Sequence, residues 1–464
     1  MANIVFVLPG FPGHLFASFK LARSLTDRGH TVSYAVPEGA EHYVTDQGLP
    51  CTTILREAVP PEAAAPSGRI AARVHRIRRQ RAAVRAELAA YQRFFDEEMG
   101  GIVRHTRAEL LVVDHVWPFL ALAGVEQGIP VAILSSWLPQ TRDGGIPMLN
   151  SSADPSGPLG ERLRGELGWA RHLLLRRIWR RPRARLLGTD IDFVRLTRRL
   201  ARRAGFPRRR IVLSTQLPCP MLDLPQLYSA PAELDFTRNP DPNRHYIESG
   251  IDLVRSFDRD EPVPWDRIDA GRPLFYCSFG SQSHLFPPAR AFFAELVGAF
   301  AERPQWQLVL VVGEDFPEDS LPQLPDNVVL LGHASPMELL GRADAVVSHA
   351  GLNSVKEAVW FGLPSMVVPL SRERDQFGNA ARVQRHGLGV ISSPTAKRAE
   401  ILAGLERLLD DPLLRSNTAR MRDVLRAGEE AQSGSRILEG LLPTELRNPV
   451  SCLSNSIPSA VAIR

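Results

Sequence analysis

The chain has 464 residues, 44% of them apolar and 23% charged. It is too long for one ordinary domain, too apolar to be disordered and too evenly mixed to be fibrous. Its net charge of +5 is modest, and no apolar run reaches the roughly eighteen residues of a spanning helix. Cys51, Cys219, Cys277 and Cys452 lie far apart without metal-ligand spacing, so a disulfide framework is not expected and a reducing, cytoplasmic setting is.

Read in chain order, Asn3 to Leu8 (NIVFVL) is a short apolar run bounded by Pro9 and Gly10, which predicts a strand buried on both faces rather than a secretory signal. After the GFPGH turn, Leu15, Phe19, Ala22 and Leu25 recur at helical spacing and Gly29 closes the helix. Thr31 to Val36, Leu110 to Val113 and Val131 to Leu134 are further strand candidates. The pattern restarts after a Pro- and Asp-rich stretch, with strands predicted at Leu274 to Cys277, Gln307 to Val312, Val328 to Leu331, Ala345 to Val347 and Ser365 to Val368. Strands alternating with helices mean parallel pairing. The expected fold class is α/β, two Rossmann-like domains facing each other across a cleft. The expected boundaries are an N-terminal domain over 1–240, a linker over 241–273, a C-terminal domain over 274–442 and a mobile tail over 443–464.

A basic helical insertion is expected at about 160–210. Only Lys20, Lys356 and Lys397 are lysines among the 56 basic residues, and from Glu161 to Arg210 there are seventeen arginines against four acids. Leu, Ile, Trp and Phe alternate with these arginines at roughly helical spacing. Two readings stand: amphipathic helices packed on the first domain with Arg outward, or a surface touching anionic lipid through Trp169, Trp179 and leucines. Nucleic acid is not expected, because no reader motif accompanies the charge.

The richest segment is Ser348 to Ala380, SHAGLNSVKEAVWFGLPSMVVPLSRERDQFGNA. A strand ends at His349, a Gly-containing turn follows, and a helix opens near Asn353 and Ser354. Unpaired N–H groups and the dipole at a helix start favour an anion. His349, Asn353 and Ser354 add donors there, and Gly351 permits close backbone approach. Glu357, one turn on, would repel phosphate but accepts hydrogen bonds from a pair of sugar hydroxyls. Asp375 and Gln376, after the next strand, suit the hydroxyls of a hexose. This is the layout of a nucleotide-sugar site at the carboxyl ends of parallel strands.

That segment resembles the donor-binding signature of the family-1 glycosyltransferases, the UDP-sugar-dependent enzymes with the GT-B fold. The resemblance implies that His349, Asn353 and Ser354 hold the pyrophosphate, Glu357 the ribose, and Asp375 with Gln376 the sugar, Glu373 being the alternative carboxylate. Tyr276 to Ser281 is similar to the opening strand and turn of the family's second domain, with Ser281 on phosphate. Gly13-His14 and Arg28-Gly29-His30 resemble its N-terminal start. His333 to Pro336 stands where the plant pattern has Trp and Pro-Gln, and His333 is the residue expected to stack on a pyrimidine. The resemblance also assigns His14 as the catalytic base and Asp114 as its orienting partner.

The function expected is therefore inverting transfer of a hexose, with UDP-glucose as donor, to a hydroxyl of a lipophilic small molecule such as a polyketide, macrolide, carotenoid or sterol. Phe11, Phe16, Trp117, Phe119, Trp137 and Met148 are candidates to line the acceptor pocket. A TDP-deoxysugar donor is the alternative, weighed against because a 2′-deoxyribose would leave Glu357 half-paired. A UDP-sugar 2-epimerase on the same fold and a catalytically inactive partner subunit are the rivals. No metal and no cofactor are expected: Asp190-Ile191-Asp192 and Asp258-Arg259-Asp260 are D-x-D strings, but neither follows an apolar strand into a suitable turn. The expected location is cytoplasmic, with peripheral contact at an anionic membrane face as a further expectation.

Overall fold

The computed structural model describes residues 1–55, 86, 88–187, 192–255, 257, 260–280, 286–313, 316–317, 320–431 and 433–444. Ser281, Cys452, the centres of both D-x-D strings and nearly all of the expected tail lie outside these residues.

The first sheet contains β1 (Asn3–Val7), β2 (Thr31–Pro37), β3 (Cys51–Ile54), β4 (Leu110–Asp114), β5 (Val131–Ser135), β8 (Gln226–Tyr228) and β9 (Arg244–Tyr246). β6 (Ile211–Val212) and β7 (Met221–Leu222) form a separate antiparallel pair. The large sheet runs in the order β3-β2-β1-β4-β5-β8-β9, parallel throughout. Its helices include α1 (Pro12–Asp27), α2 (Glu41–Thr45), α3 (Gly100–His105), α4 (Ala121–Glu126), α5 (Leu159–Leu187) and α6 (Phe193–Arg203). Continuous apolar runs make this possible, because the central strands β1, β4 and β5 bury both faces. Val5, Val7, Leu111, Val113 and Ile133 enter one core, while Ile4, Phe6, Leu110, Val112, Ala132 and Leu134 enter the other. Each such side chain contributes about 1.5–3 kcal/mol on burial.

The second sheet contains β10 (Leu274–Ser278), β11 (Gln307–Val311), β12 (Val328–Leu331), β13 (Ala345–Ser348), β14 (Ser365–Val367) and β15 (Gly389–Ile391), in the order β12-β11-β10-β13-β14-β15. It too is parallel. Its helices are α7 (Pro287–Ala301), α8 (Pro336–Leu340), α9 (Leu352–Trp360), α10 (Gln376–Arg385), α11 (Arg398–Asp410), α12 (Pro412–Ala431) and α13 (Gly434–Leu441). The same two-faced burial recurs, with Phe275 and Cys277 in one core and Leu274 and Tyr276 in the other.

Two boundaries differ from the sequence reading. β9 pairs with β8, so the first domain extends past residue 240 into the stretch read as linker. At the other end, α13 leaves the second domain and packs on the first. Leu438 and Leu442 share a core with Leu21 and Leu25, and Glu439 accepts hydrogen bonds from Arg28 at 2.6 and 2.7 Å. The apolar side of α13, with Leu438 and Leu442, is buried there, and Glu439 satisfies Arg28 beside it.

The basic insertion packs on the first domain with arginine outward, Arg164, Arg171, Arg177, Arg195, Arg199, Arg202 and Arg203 being exposed, while Arg176 turns inward. α5 is anchored by Trp169, whose Nε1 donates to the Ile146 carbonyl at 2.8 Å, and by Arg176, which donates to the carbonyls of Thr215, Leu217 and Pro218. Leu159, Leu163, Leu167, Leu174 and Ile178 are left exposed. Capping three loop carbonyls with one guanidinium satisfies acceptors that leucine could not.

Candidate active site

Both sheets reverse direction of winding beside their first strand, and a crevice opens at each reversal. In the first sheet β1 lies between β2 and β4, and α1 starts just beyond β1. His14 therefore sits in the first turn of α1, not in a loop before it, and meets Asp114 at the end of β4. In the second sheet β10 lies between β11 and β13. Gly280 follows β10 and His349 follows β13 at the same level, because Ser278 and Ser348 are in register. Open parallel sheets bind ligands at such switch points.

One cleft joins the two crevices. It is lined by Gly13, His14, Gly280, His333, His349, Gly351, Asn353, Ser354, Glu357, Asp375 and Gln376. Apart from Ser281 and Asp114, every site residue read from the sequence lines this cleft, and Asp114 stands directly behind His14. Glu373 is exposed and is not part of the lining.

His14 is 8% exposed and its Nδ1 lies 2.9 Å from Asp114 Oδ2. An ionised carboxylate only accepts hydrogen bonds, so Nδ1 carries the proton and Nε2 keeps a lone pair. Burial works against the Asp114 charge, but the neighbouring imidazoles hold its carboxyl well below the usual range. The second imidazole is His115, fully buried and stacked on His14 with ring centres 5.1 Å apart. Its Nδ1 is 3.2 Å from Asp114 Oδ1, and burial lowers its pKa, with the Asp114 charge opposing. His14, Asp114 and His115 also offer ligand atoms within 4.8 Å of one another, as a metal site would. Asp114 is already shared between the two rings.

The opposite wall is built around a tight turn. Ala350 adopts φ +65°, a left-handed conformation that costs an alanine about 1–2 kcal/mol. Asn379 secures it by donating to the Ala350 carbonyl at 2.9 Å, and also donates to Asp375 Oδ2 at 2.7 Å. The turn leaves His349 partly buried, with its Nδ1 enclosed and without a hydrogen-bond partner among the described residues. Burial, with Arg374 adding to it, pushes the His349 pKa down to about 4. Both neighbouring glycines are dictated by this ring, since a Cβ at Gly351 would lie 2.7 Å from Nε2 and one at Gly280 3.1 Å from Cε1.

Asn353 Nδ2 donates to the Gly13 carbonyl at 2.7 Å, so this pyrophosphate candidate also ties the two walls together. Burial raises the Asp375 carboxyl to about 6, opposed by the Asn379 donor. Gln376 Oε1 accepts from the backbone N–H groups of Leu370 and Ser371 at 2.7 and 2.9 Å, which orients its amide N–H groups away from that loop. His333 Nδ1 is held 2.6 Å from Asp260 Oδ1, and Phe257 meets its ring edge-on.

Four contributors were not read from the sequence. Arg255 and Arg374 line the cleft but were hidden in a chain whose basic residues are nearly all arginine. Asn379 and His115 act through neighbours, and one chain gives no spacing signal for that. Of the acceptor candidates, Phe11, Phe16 and Trp137 line the cleft. Trp117 and Phe119 instead belong to the first-domain core, and Met148 packs against α5 near Gly168. Aromatic residues close in sequence to a site fill cores more often than pockets.

A family model described as the C-terminal domain of erythromycin biosynthesis protein CIII-like proteins matches residues 307–433. The chain is 34% identical over 194 residues to the oleandomycin glycosyltransferase of Streptomyces antibioticus, covering 41% of this chain and 42% of that one. It is 27% identical over 345 residues to the 4'-demethylrebeccamycin synthase of Lentzea aerocolonigenes, covering 72% and 74% of the two chains. Among solved structures, the glycotransferase of kitacinnamycin superposes with a TM-score of 0.67 at 21% identity, over 95% of this chain and 99% of that one. The chain thus has the GT-B fold seen in natural-product glycosyltransferases, and its residues 307–433 are similar to the erythromycin biosynthesis protein CIII-like C-terminal domains.

Proposed function

We propose that the protein is an inverting glycosyltransferase that moves a hexose from a nucleoside diphosphate-sugar to a hydroxyl of a lipophilic small molecule. The observation that carries this reading is the His14–Asp114 pair facing, across one cleft, a helix start furnished with His349, Asn353 and Ser354. Nε2 of His14 takes the acceptor proton as the acceptor oxygen bonds to the anomeric carbon. The bond from that carbon to the diphosphate breaks on the opposite side, and Asp114 stabilises the imidazolium.

The departing charge is met by the N–H groups at the start of α9, by neutral His349 and by Arg374. The proposed reaction needs no metal and no cofactor. Asp375 and the Gln376 amide would position the hexose, and Phe11 and Trp137 favour an apolar acceptor. Both donors weighed above, UDP-glucose and a TDP-deoxysugar, suit the diphosphate site.

His14→Ala should lower turnover by about 10²–10⁴-fold while nucleoside diphosphate affinity is retained. Near-normal turnover in the variant would refute the assignment. Release of nucleoside diphosphate only when a hydroxyl acceptor is added separates this reaction from a 2-epimerase and from an inactive partner. We further propose a peripheral contact with anionic lipid through α5, whose exposed leucines are flanked by the exposed Arg164, Arg171 and Arg177. No helix among the described residues is long and apolar enough to cross a membrane.

A further inference from the structure

Lys356 lies on α9 between Ser354 and Glu357, yet it does not line the cleft. It is 1% exposed, and its Nζ donates to the carbonyls of Ser229 and Ser249 at 2.5 Å each. Ser229 stands just beyond β8 and Ser249 just beyond β9, so both acceptors are on the first-domain side. Among the described residues neither carbonyl receives another hydrogen bond. Ser249 is itself held in place, since its N–H donates to Glu429 Oε1 on α12 at 2.9 Å. The next residue, Gly250, has φ +69° and passes so close to α1 that a Cβ there would lie 2.7 Å from the Ala17 carbonyl oxygen.

A lysine at this place stands out in a chain with 3 lysines among 56 basic residues, and the other two, Lys20 and Lys397, are not buried. An ammonium gathers three donors at one point, which suits two carbonyl oxygens converging from different strands, whereas a guanidinium spreads its donors over a plane. Burial brings the Lys356 pKa down to about 7. The Glu357 and Glu429 charges oppose that shift, and Arg255 and Lys20 add to it.

Asn353 is three residues earlier, on the same face of α9, and holds the Gly13 carbonyl at 2.7 Å. Two fastenings therefore join this face to the first domain, one inside the cleft and one outside it. In the transferase reading the Asn353 amide turns to the diphosphate when the donor arrives. Lys356 meets no ligand and keeps its two carbonyls.

We infer that Lys356 is a positioning residue for sugar transfer, whose pairing with the Ser229 and Ser249 carbonyls sets the gap between α9 and His14 before any ligand binds. This rests on the reading of the cleft as a nucleoside diphosphate-sugar site. Removing the ammonium leaves two buried carbonyls without donors, and the water they then demand parts α9 from the first domain. A misplacement of about 1 Å between reacting groups costs about 10²-fold in rate, while the groups of the second domain that hold the donor stay intact.

The first test needs no variant. Small-angle scattering of the full wild-type chain should give the same radius of gyration with and without saturating UDP or TDP, and a contraction on adding either would overturn the inference. The second compares the wild type with Lys356→Met, which keeps an unbranched apolar stem. Transfer to 4-methylumbelliferone from UDP-glucose or TDP-glucose should fall about 10²-fold, while the calorimetric affinity for UDP or TDP stays within about threefold of the wild type. Unchanged turnover would overturn the inference, and so would nucleotide affinity lost in step with turnover. A wild type that binds neither nucleotide and transfers from neither donor would remove the transferase reading itself, a result distinct from binding with the wrong response to Lys356→Met.

Discussion

Two ionisable groups that line the cleft, His349 and Asp375, respond to acid in opposite senses. His349 is held down to about 4, so as pH falls below the ordinary imidazole value near 6.5 the unfolded chain gains a proton that the folded chain refuses. Its contribution to stability is therefore lost over that interval, by about 2 kcal/mol between pH 7 and 5. Asp375 is raised to about 6, so the folded chain takes up its proton first and gains about 1 kcal/mol over the same span. Urea unfolding of His349→Asn and Asp375→Asn against the wild type at the two pH values should show these opposite slopes. Parallel slopes for both variants would contradict the arrangement.

At the scale of an element, α5 is the part whose surface departs most from ordinary expectation. Leu159, Leu163, Leu167, Leu174 and Ile178 follow one another at intervals of four, four, seven and four, which places them on one stripe. Trp169 and Arg176 hold the other face to the first domain. A pair of such helices from two copies would oppose arginine with arginine. The acids of its first turns are already engaged, Glu161 by the Asp154 N–H and Glu166 by Arg142 and the Gly145 N–H. An anionic lipid surface complements both the stripe and its flanks. The full chain should float with vesicles containing phosphatidylserine at low salt and lose that association when Leu163, Leu167 and Leu174 are changed to Ser. Equal flotation with neutral vesicles would count against it.

Considered whole, the molecule is held closed by contacts that cross between its halves. Lys356, buried on α9, donates to the backbone carbonyls of Ser229 and Ser249. The Leu149 carbonyl accepts from the Gly378 N–H at 2.7 Å. At the back, Glu439 on α13 pairs with Arg28 and with His30 at 3.1 Å. Glu439→Ala should lower the unfolding free energy by about 3 kcal/mol, because it strands a cation and an imidazole that share one carboxylate. Denaturant midpoints measure this, and a change under about 0.5 kcal/mol would show that α13 is held by its apolar face alone.

The residues of the cleft were legible because they lie at or just beyond the carboxyl ends of apolar strands, in the turns and first helical turns that follow. The runs before His14, Asp114, His349 and Asp375 bury both faces, and their composition alone marks them as parallel strands. The short strands at Gln226–Tyr228, Arg244–Tyr246 and Gly389–Ile391 carry no such signal, since pairing with a neighbour already in place is what makes them strands. What the chain alone determined was the pair of α/β halves and the chemistry at their strand ends. Tertiary structure alone decided which helix crosses back, which face of α5 meets solvent, and that Arg255 reaches Glu357. Those outcomes depend on how distant surfaces fit, and no local period in a sequence encodes that.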